Sequence, residues 1–324
     1  MLHVLLVTFP FFALVLAGYV AARRGMLALE AIPGLNGFVL FFALPCMLFR
    51  FGAGTPVAQL LDAAAFFTYL LCALIMVGFV VAVSLNRRVG WNDAAFGALV
   101  AAFPNTGFMG VPLLVALLGP AAAGPAIVTI MIDMVLTTSL CIALSRLDGA
   151  DQHGVAQAAR NALRGVLVNP LPWAILLGAL VSALELQLPA PVLQTLGLLA
   201  DAASPVALFT IGAVLARSQM RVASDGAPEL PLRDYVPVAF IKLLLHPVLV
   251  LLVGGAAIQL GVPLDRFALT VMVLVAALPS ASNVSLLAEK FGADSGRIAR
   301  IILVSTAASF LSFSAAVSLL TGNP

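Results

Sequence analysis

Charge is scarce in this sequence: 9% of its 324 residues are Asp, Glu, Lys or Arg, while 62% are hydrophobic. A soluble domain carries roughly 25% charged residues to keep its surface solvated. A chain this poor in charge is expected to dissolve in lipid. Its net charge of +2 is too small for a nucleic-acid partner, and no basic run interleaves with aromatics. Cysteine is scarce as well. Cys46, Cys72 and Cys141 fall inside apolar stretches without CxxC spacing. That pattern gives neither a disulfide framework nor a zinc site and leaves them as small packing residues. No metal or cofactor is expected.

What the sequence has is long apolar runs. Stretches of about 20 apolar residues span a bilayer as helices. They are placed near 2–22, 31–49, 64–85, 94–118, 122–145, 167–187, 192–216, 235–260, 266–289 and 296–319. The first is read as a retained span, not a signal peptide, because Arg23 and Arg24 follow the apolar run instead of preceding it. The basic residues alternate with this count. Odd-numbered loops hold Arg23, Arg24, Arg87, Arg88, Arg146, Arg160, Arg164, Arg217, Arg221, Arg233, Lys290, Arg297 and Arg300, and even-numbered loops hold Arg50 and Arg266. Basic loops stay in the cytoplasm, so both termini are expected on the outer side of the cell membrane.

Segments four and nine echo each other. Ala101-Ala102-Phe103-Pro104-Asn105-Thr106 lines up with Ala276-Ala277-Leu278-Pro279-Ser280-Ala281, and Pro45 and Pro205 give a parallel echo between segments two and seven. Both pairs lie five spans apart, and an odd offset forces the halves into opposite orientations. The expected fold is therefore an all-α integral membrane protein of ten helices. It is built as two inverted five-helix repeats, 1–146 and 167–324, joined by a cytoplasmic linker at 147–166, with helices four and nine broken and crossed.

Pro104 and Pro112 each lack an N–H, and Gly107 and Gly110 weaken a helix by about 1 kcal/mol each relative to Ala. Pro279 is followed by Ser280, Ser282, Asn283 and Ser285. A break at lipid depth must face protein or a wet cavity, and the start of its second half favours an anionic group. Asn105, Thr106, Gly107, Ser280, Ser282 and Asn283 are thus the expected binding residues for a small organic anion, with Pro104, Gly110, Pro112 and Pro279 shaping the breaks. The alternative is a pair of proline kinks that only shape packing. Asp133, Asp201, Lys242 and His246 also lie within spans. A charge at mid-bilayer costs about 2.5–3.5 kcal/mol, so such residues usually have a task. Asp133 and Lys242 are candidates for coupling or charge, against a hydrogen-bonding role for Asp133 and snorkelling for Lys242. Asp201 is read as packing, and His246 as a partner for a carbonyl freed by Pro247, against a proton-relay role.

At these residues the sequence resembles the auxin efflux carrier family, especially its bacterial members. The marks are Gly18-Tyr19 with Arg24-Gly25, Pro45, Asn105-Thr-Gly-Phe-Met-Gly-Val-Pro112, Asn169-Pro170, Lys242 with Pro247, Pro279 through Asn283, and Leu287-Ala-Glu-Lys-Phe-Gly292. The resemblance implies the ten-span fold shared with bile acid–sodium symporters. It also implies a scaffold of helices one, two, six and seven, often dimeric, beside transport helices three to five and eight to ten. The implied substrates are carboxylates such as malonate, malate or an auxin-like acid. Two other functions stand beside a secondary carrier. A sodium-coupled symporter is permitted by the fold. An intramembrane enzyme is disfavoured because GxSG, HExxH and GxGD are absent.

Overall fold

The computed structural model describes residues 2–55, 62–86, 88–147, 170–224 and 231–322. Arg87, Arg160, Arg164, Asn169 and nearly all of the expected linker lie outside them. The described residues are helical, with no strand longer than one isolated bridge. Among the described residues, seven stretches are long and apolar enough to cross a bilayer: Leu6–Arg23, Leu29–Gly54, Ala63–Ser84, Pro120–Leu144, Ala190–Arg217, Val236–Gln259 and Ser295–Thr321. The shorter apolar helices Thr106–Leu118, Trp173–Ala183 and Arg266–Ala277 stand where the fourth, sixth and ninth spans are expected.

The helices are α1 Leu2–Arg23, α2 Ile32–Phe38, α3 Leu44–Gly54, α4 Ala63–Ser84, α5 Trp91–Ala102, α6 Val111–Leu118, α7 Ala123–Met131, α8 Thr138–Leu144, α9 Pro170–Ala183, α10 Ala190–Ser224, α11 Val236–Phe240, α12 His246–Gln259, α13 Arg266–Ala277, α14 Asn283–Phe291 and α15 Ser295–Thr321. Turns of π-helix join α2 to α3 (Val39–Ala43), α7 to α8 (Ile132–Thr137) and α11 to α12 (Ile241–Leu245). Asp62 and Asp265 cap α4 and α13 by accepting from Ala65 N–H and Ala268 N–H at 2.9 and 3.0 Å, which satisfies donors no earlier turn can reach.

Helices α5 and α13 stop for the same reason. The residue before a proline is pushed out of the helical region, and Phe103 and Leu278 are both extended. The two non-helical strips then meet antiparallel across the bridge Pro104–Ser280. Asn105 N–H donates to Pro279 O at 2.8 Å, and Ala281 N–H donates to Phe103 O at 2.9 Å. Ser280 N–H donates to the Ser305 hydroxyl of α15 at 3.2 Å. The main core surrounds this meeting with Phe103, Phe108, Met109, Leu278 and Val284.

A frame of helices stands beside it. α1 and α10 touch backbone to backbone: a Cβ on Gly18 would lie 1.8 Å from Phe209 O, and one on Gly212 would lie 1.8 Å from Val15 O. α3 and α9 meet in the same way, with Gly178 against Phe49 O (2.2 Å) and Gly52 against Ile175 O (2.5 Å) for the same added atom. Small residues allow such approach where lipid removes the hydrophobic drive between helices. At one end of the molecule Arg297 gathers three elements. Its Nε donates to Asp234 O at 2.8 Å and its Nη1 to Asp93 O at 2.9 Å, while Asp294 N–H donates to the Asp93 carboxylate at 2.7 Å.

Three expectations follow for the purified protein, read as melting profiles in detergent. Gly212→Leu lowers stability by at least the about 1–3 kcal/mol typical of overpacking, because its first new atom meets backbone. Gly255→Ala, with nothing within 4 Å of the added carbon, leaves the melt unchanged or raised. Ser305→Ala strands the Ser280 N–H and lowers stability by about 1–3 kcal/mol.

Candidate functional site

The meeting of the two strips brings most of the expected binding residues together. Pro104 and Ser280 are the bridged pair, with Asn105 and Ala281 next to them. Asn105, Thr106 and Ser280 are buried, and Ser282 and Asn283 are half-buried. Thr106 directs its hydroxyl at Pro104 O at a long 3.5 Å, the outer limit of a hydrogen bond. Gly107 and Gly110 lie in the π-turn Thr106–Gly110, which Pro112 follows near the start of α6. At Gly110 a Cβ would sit 2.5 Å from Leu278 Cδ1, so the absent side chain lets the two interrupted segments close on each other.

Three buried oxygens here have no hydrogen-bond partner: Asn105 Oδ1, Ser280 Oγ and Asn283 Oδ1. Buried polar groups left unpaired cost about 1–3 kcal/mol each, and the exceptions in a folded protein call for an explanation. Both amides and the hydroxyl can also donate. The group is neutral and mixed, with amide oxygens that accept, amide NH2 groups that donate and a hydroxyl that does either. A small cavity of about 10 Å³, room for one water, lies beside it between Asn36, Phe108, Thr210 and Ser282. A larger one of about 250 Å³ lies toward the Arg297 end, lined by Gln219, Tyr235 and Arg300 among apolar residues. The Arg300 guanidinium lies 5.8 Å from the centre of the Tyr235 ring.

Asp133 and Lys242 are fully buried, away from the bridged strips in sequence. Asp133 accepts from Tyr69 OH at 3.0 Å and from Thr137 Oγ1 at 3.1 Å. Lys242 does not snorkel. Its Nζ donates to Ala276 O at 2.7 Å and lies 3.1 Å from His246 Nδ1, because the π-turn Ile241–Leu245 directs it against the end of α13. His246 therefore faces an ammonium instead of a freed carbonyl. Asp201 is no packing residue either: it pairs with Arg50 at 2.6 Å with both side chains largely exposed.

Sequence reasoning passes over Tyr69 and reads Ser305 as a close-packing residue. A tyrosine in the middle of an apolar run was a usable signal, since its buried hydroxyl needs a partner. Ser305 gave none, standing among Thr306, Ser309 and Ser312, where small hydroxyl residues serve helix packing.

Comparison with known proteins agrees with this membrane architecture. The chain is 29% identical over 299 residues to a Rhizobium meliloti (strain 1021) protein named "Putative malonate transporter", covering 92% of this chain and 89% of that one. It is 28% identical over 295 residues to the Escherichia coli (strain K12) "Uncharacterized transporter YfdV", covering 87% and 86%. It is 27% identical over 301 residues to an "Uncharacterized transporter" of Methanothermobacter thermautotrophicus, covering 92% of each chain. The profile of the family described as "Membrane transport protein" matches residues 3–317. With nearly its whole length matched, the chain belongs to that transporter family, the auxin efflux carriers.

Proposed function

We propose that this membrane transporter is a secondary carrier that moves a small organic anion, a mono- or dicarboxylate, by alternating access around the two bridged strips. The observation that carries the reading is the antiparallel meeting at Pro104 and Ser280, with Asn105, Ser280 and Asn283 left holding unpaired polar atoms beside it. Around this point α6 and α14 begin, and helix starts present backbone donors and a positive dipole end. Lys242, a positive charge when protonated, donates to the carbonyl of Ala276, three residues before Pro279. A carboxylate gains from the helix starts, from a protonated Lys242 and from the donors of the Ser280 hydroxyl and the amide NH2 groups, while the unpaired amide oxygens only accept.

The proposed architecture has ten spans in two inverted repeats, each interrupted helix counting as one crossing. Two observations support it. Segments four and nine are broken by the same extended residue-plus-proline step. The glycine contacts of helix one with seven are matched by those of helix six with two, which is the pairing that a five-span inversion requires. Two halves alike in contacts but opposite in direction supply two nearly equivalent states, open to opposite sides. With the basic loops in the cytoplasm, both termini lie on the outer side, and the 250 Å³ cavity near Arg300 opens toward the cytoplasm.

Thermal stabilisation of the purified chain by malonate, malate and indole-3-acetate tests this, with simple amines and sugars as controls and each run with and without Na⁺. A carboxylate at about 100 times its Kd stabilises by about 2.7 kcal/mol. A shift with amines or sugars and none with carboxylates would overturn the anion reading. A carboxylate shift that appears only with Na⁺ would favour the sodium-coupled symporter. The double variant Asn105→Ala, Asn283→Ala is expected to lose the carboxylate shift while keeping its own melt and membrane insertion.

A further inference from the structure

Asp133, Tyr69, Lys242 and His246 come from three different segments, α4, the α7–α8 stretch and the α11–α12 stretch, and none has any exposed surface. Tyr69 joins the two sides: its hydroxyl donates to Asp133, and its ring centre lies 6.1 Å from that of His246. His246 in turn meets Lys242 through Nδ1, while its Nε2 is buried without a partner. Asp133 and Lys242 each sit in a π-helical turn, a local widening that recurs at functional sites. Among the described residues no ion pair joins the carboxylate to the ammonium.

Groups so arranged share their protons. Moving a proton from Lys242 to Asp133 removes two buried charges without altering the total, so the titration belongs to the cluster instead of to one residue. The surroundings add little charge of their own. α4 brings Cys72 beside Tyr69, and α8 brings Cys141 near Asp133. Against the Lys242 turn α13 packs with Arg266 at its far start, and α5 with Asp93 at its start. Packed there too, α15 carries Arg297, already bonded to Asp234 and Asp93 carbonyls, and Arg300 over Tyr235. Lys242 also connects this cluster to the anion site, because the carbonyl it holds belongs to the last turn before the break at Leu278–Ser282. Its charge therefore sets the potential where the second strip begins.

We propose that Asp133, Tyr69, Lys242 and His246 form a proton-binding site, separate from the bridged strips, whose loading is linked to carboxylate binding so that a proton crosses with each anion. The proposal rests on the anion reading above. Loading takes a proton from water on one side and adds a positive charge that the bound carboxylate offsets in a low dielectric. Release returns that proton to water on the other side with the anion. By linkage, the anion tightens proton binding by the same factor as the proton tightens anion binding.

The test is calorimetric titration of the full-length purified chain with malonate, malate and indole-3-acetate, at pH values above the titration of their own carboxyls. Buffers of different ionisation enthalpy report the protons taken up. The wild type is expected to absorb protons on binding, with affinity falling about tenfold per pH unit on the alkaline side. Asp133→Asn is expected to bind carboxylate without proton uptake and with a flat pH profile, and Lys242→Met to bind it more weakly and likewise without proton uptake. Should either fail to fold, Tyr69→Phe and His246→Gln keep the packing and are expected to shift the pH midpoint. Wild-type carboxylate binding with no buffer-dependent heat would overturn the proton site and leave the anion reading standing. Unchanged proton uptake in every variant would place the site elsewhere and overturn the proposal. Failure of all three carboxylates to bind would bring down the anion reading and the proposal together.

Discussion

In lipid a backbone N–H or C=O has no water to turn to, and each unsatisfied group costs several kcal/mol. The two bonds between Phe103–Asn105 and Pro279–Ala281 are the answer to that constraint. Two prolines end two helices, and the amides and carbonyls they release find each other. Neither break is tolerable without the other. The third freed donor, Ser280 N–H, reaches the Ser305 hydroxyl, which ties α15 to the same point. The tight fit of Gly110 on Leu278 follows from the same need, since a side chain there would hold the strips apart.

Polar chemistry is thereby divided between two places. The strips present neutral amides and hydroxyls, with partial charges from helix ends and no carboxylate of their own. The ionisable side chains, Asp133 and Lys242, stand back from them and are held by Tyr69, Thr137, His246 and the carbonyl of Ala276. In the proposed carrier, a neutral surface holds an anion without a direct ion pair, whose release would strand a bare charge in a medium of low dielectric. The ionisable cluster touches the end of α13 through the bond from Lys242 to Ala276 O.

Much of this was legible in the sequence. The scarcity of charge fixed a lipid-embedded helical chain, and the prolines at 104 and 279 marked where two helices stop. The residues of the candidate site came from the same prolines and the polar residues after them. Partners were not legible. Asn105 meets Pro279, Ser280 meets Ser305, and Tyr69 meets Asp133, contacts between residues far apart in the chain that hydropathy does not encode. For Lys242 the sequence left a charge role and snorkelling both open, because distance from a segment end says nothing about direction. The π-turn decides it, and no proline or glycine announces that turn within Ile241–Leu245.

The glycine contacts of α1 with α10 and of α3 with α9 have a mechanical consequence. Where main chain rests on main chain, no rotamer lies between to absorb a displacement, and any sliding or tilting meets a hard wall at once. Each of the two pairs therefore packs without that slack. Side chains fill other interfaces, as where Phe108 and Thr210 line the small cavity beside Ser282. The glycines thus do more than allow close packing: they set these two contacts apart as the ones with no side chain to yield.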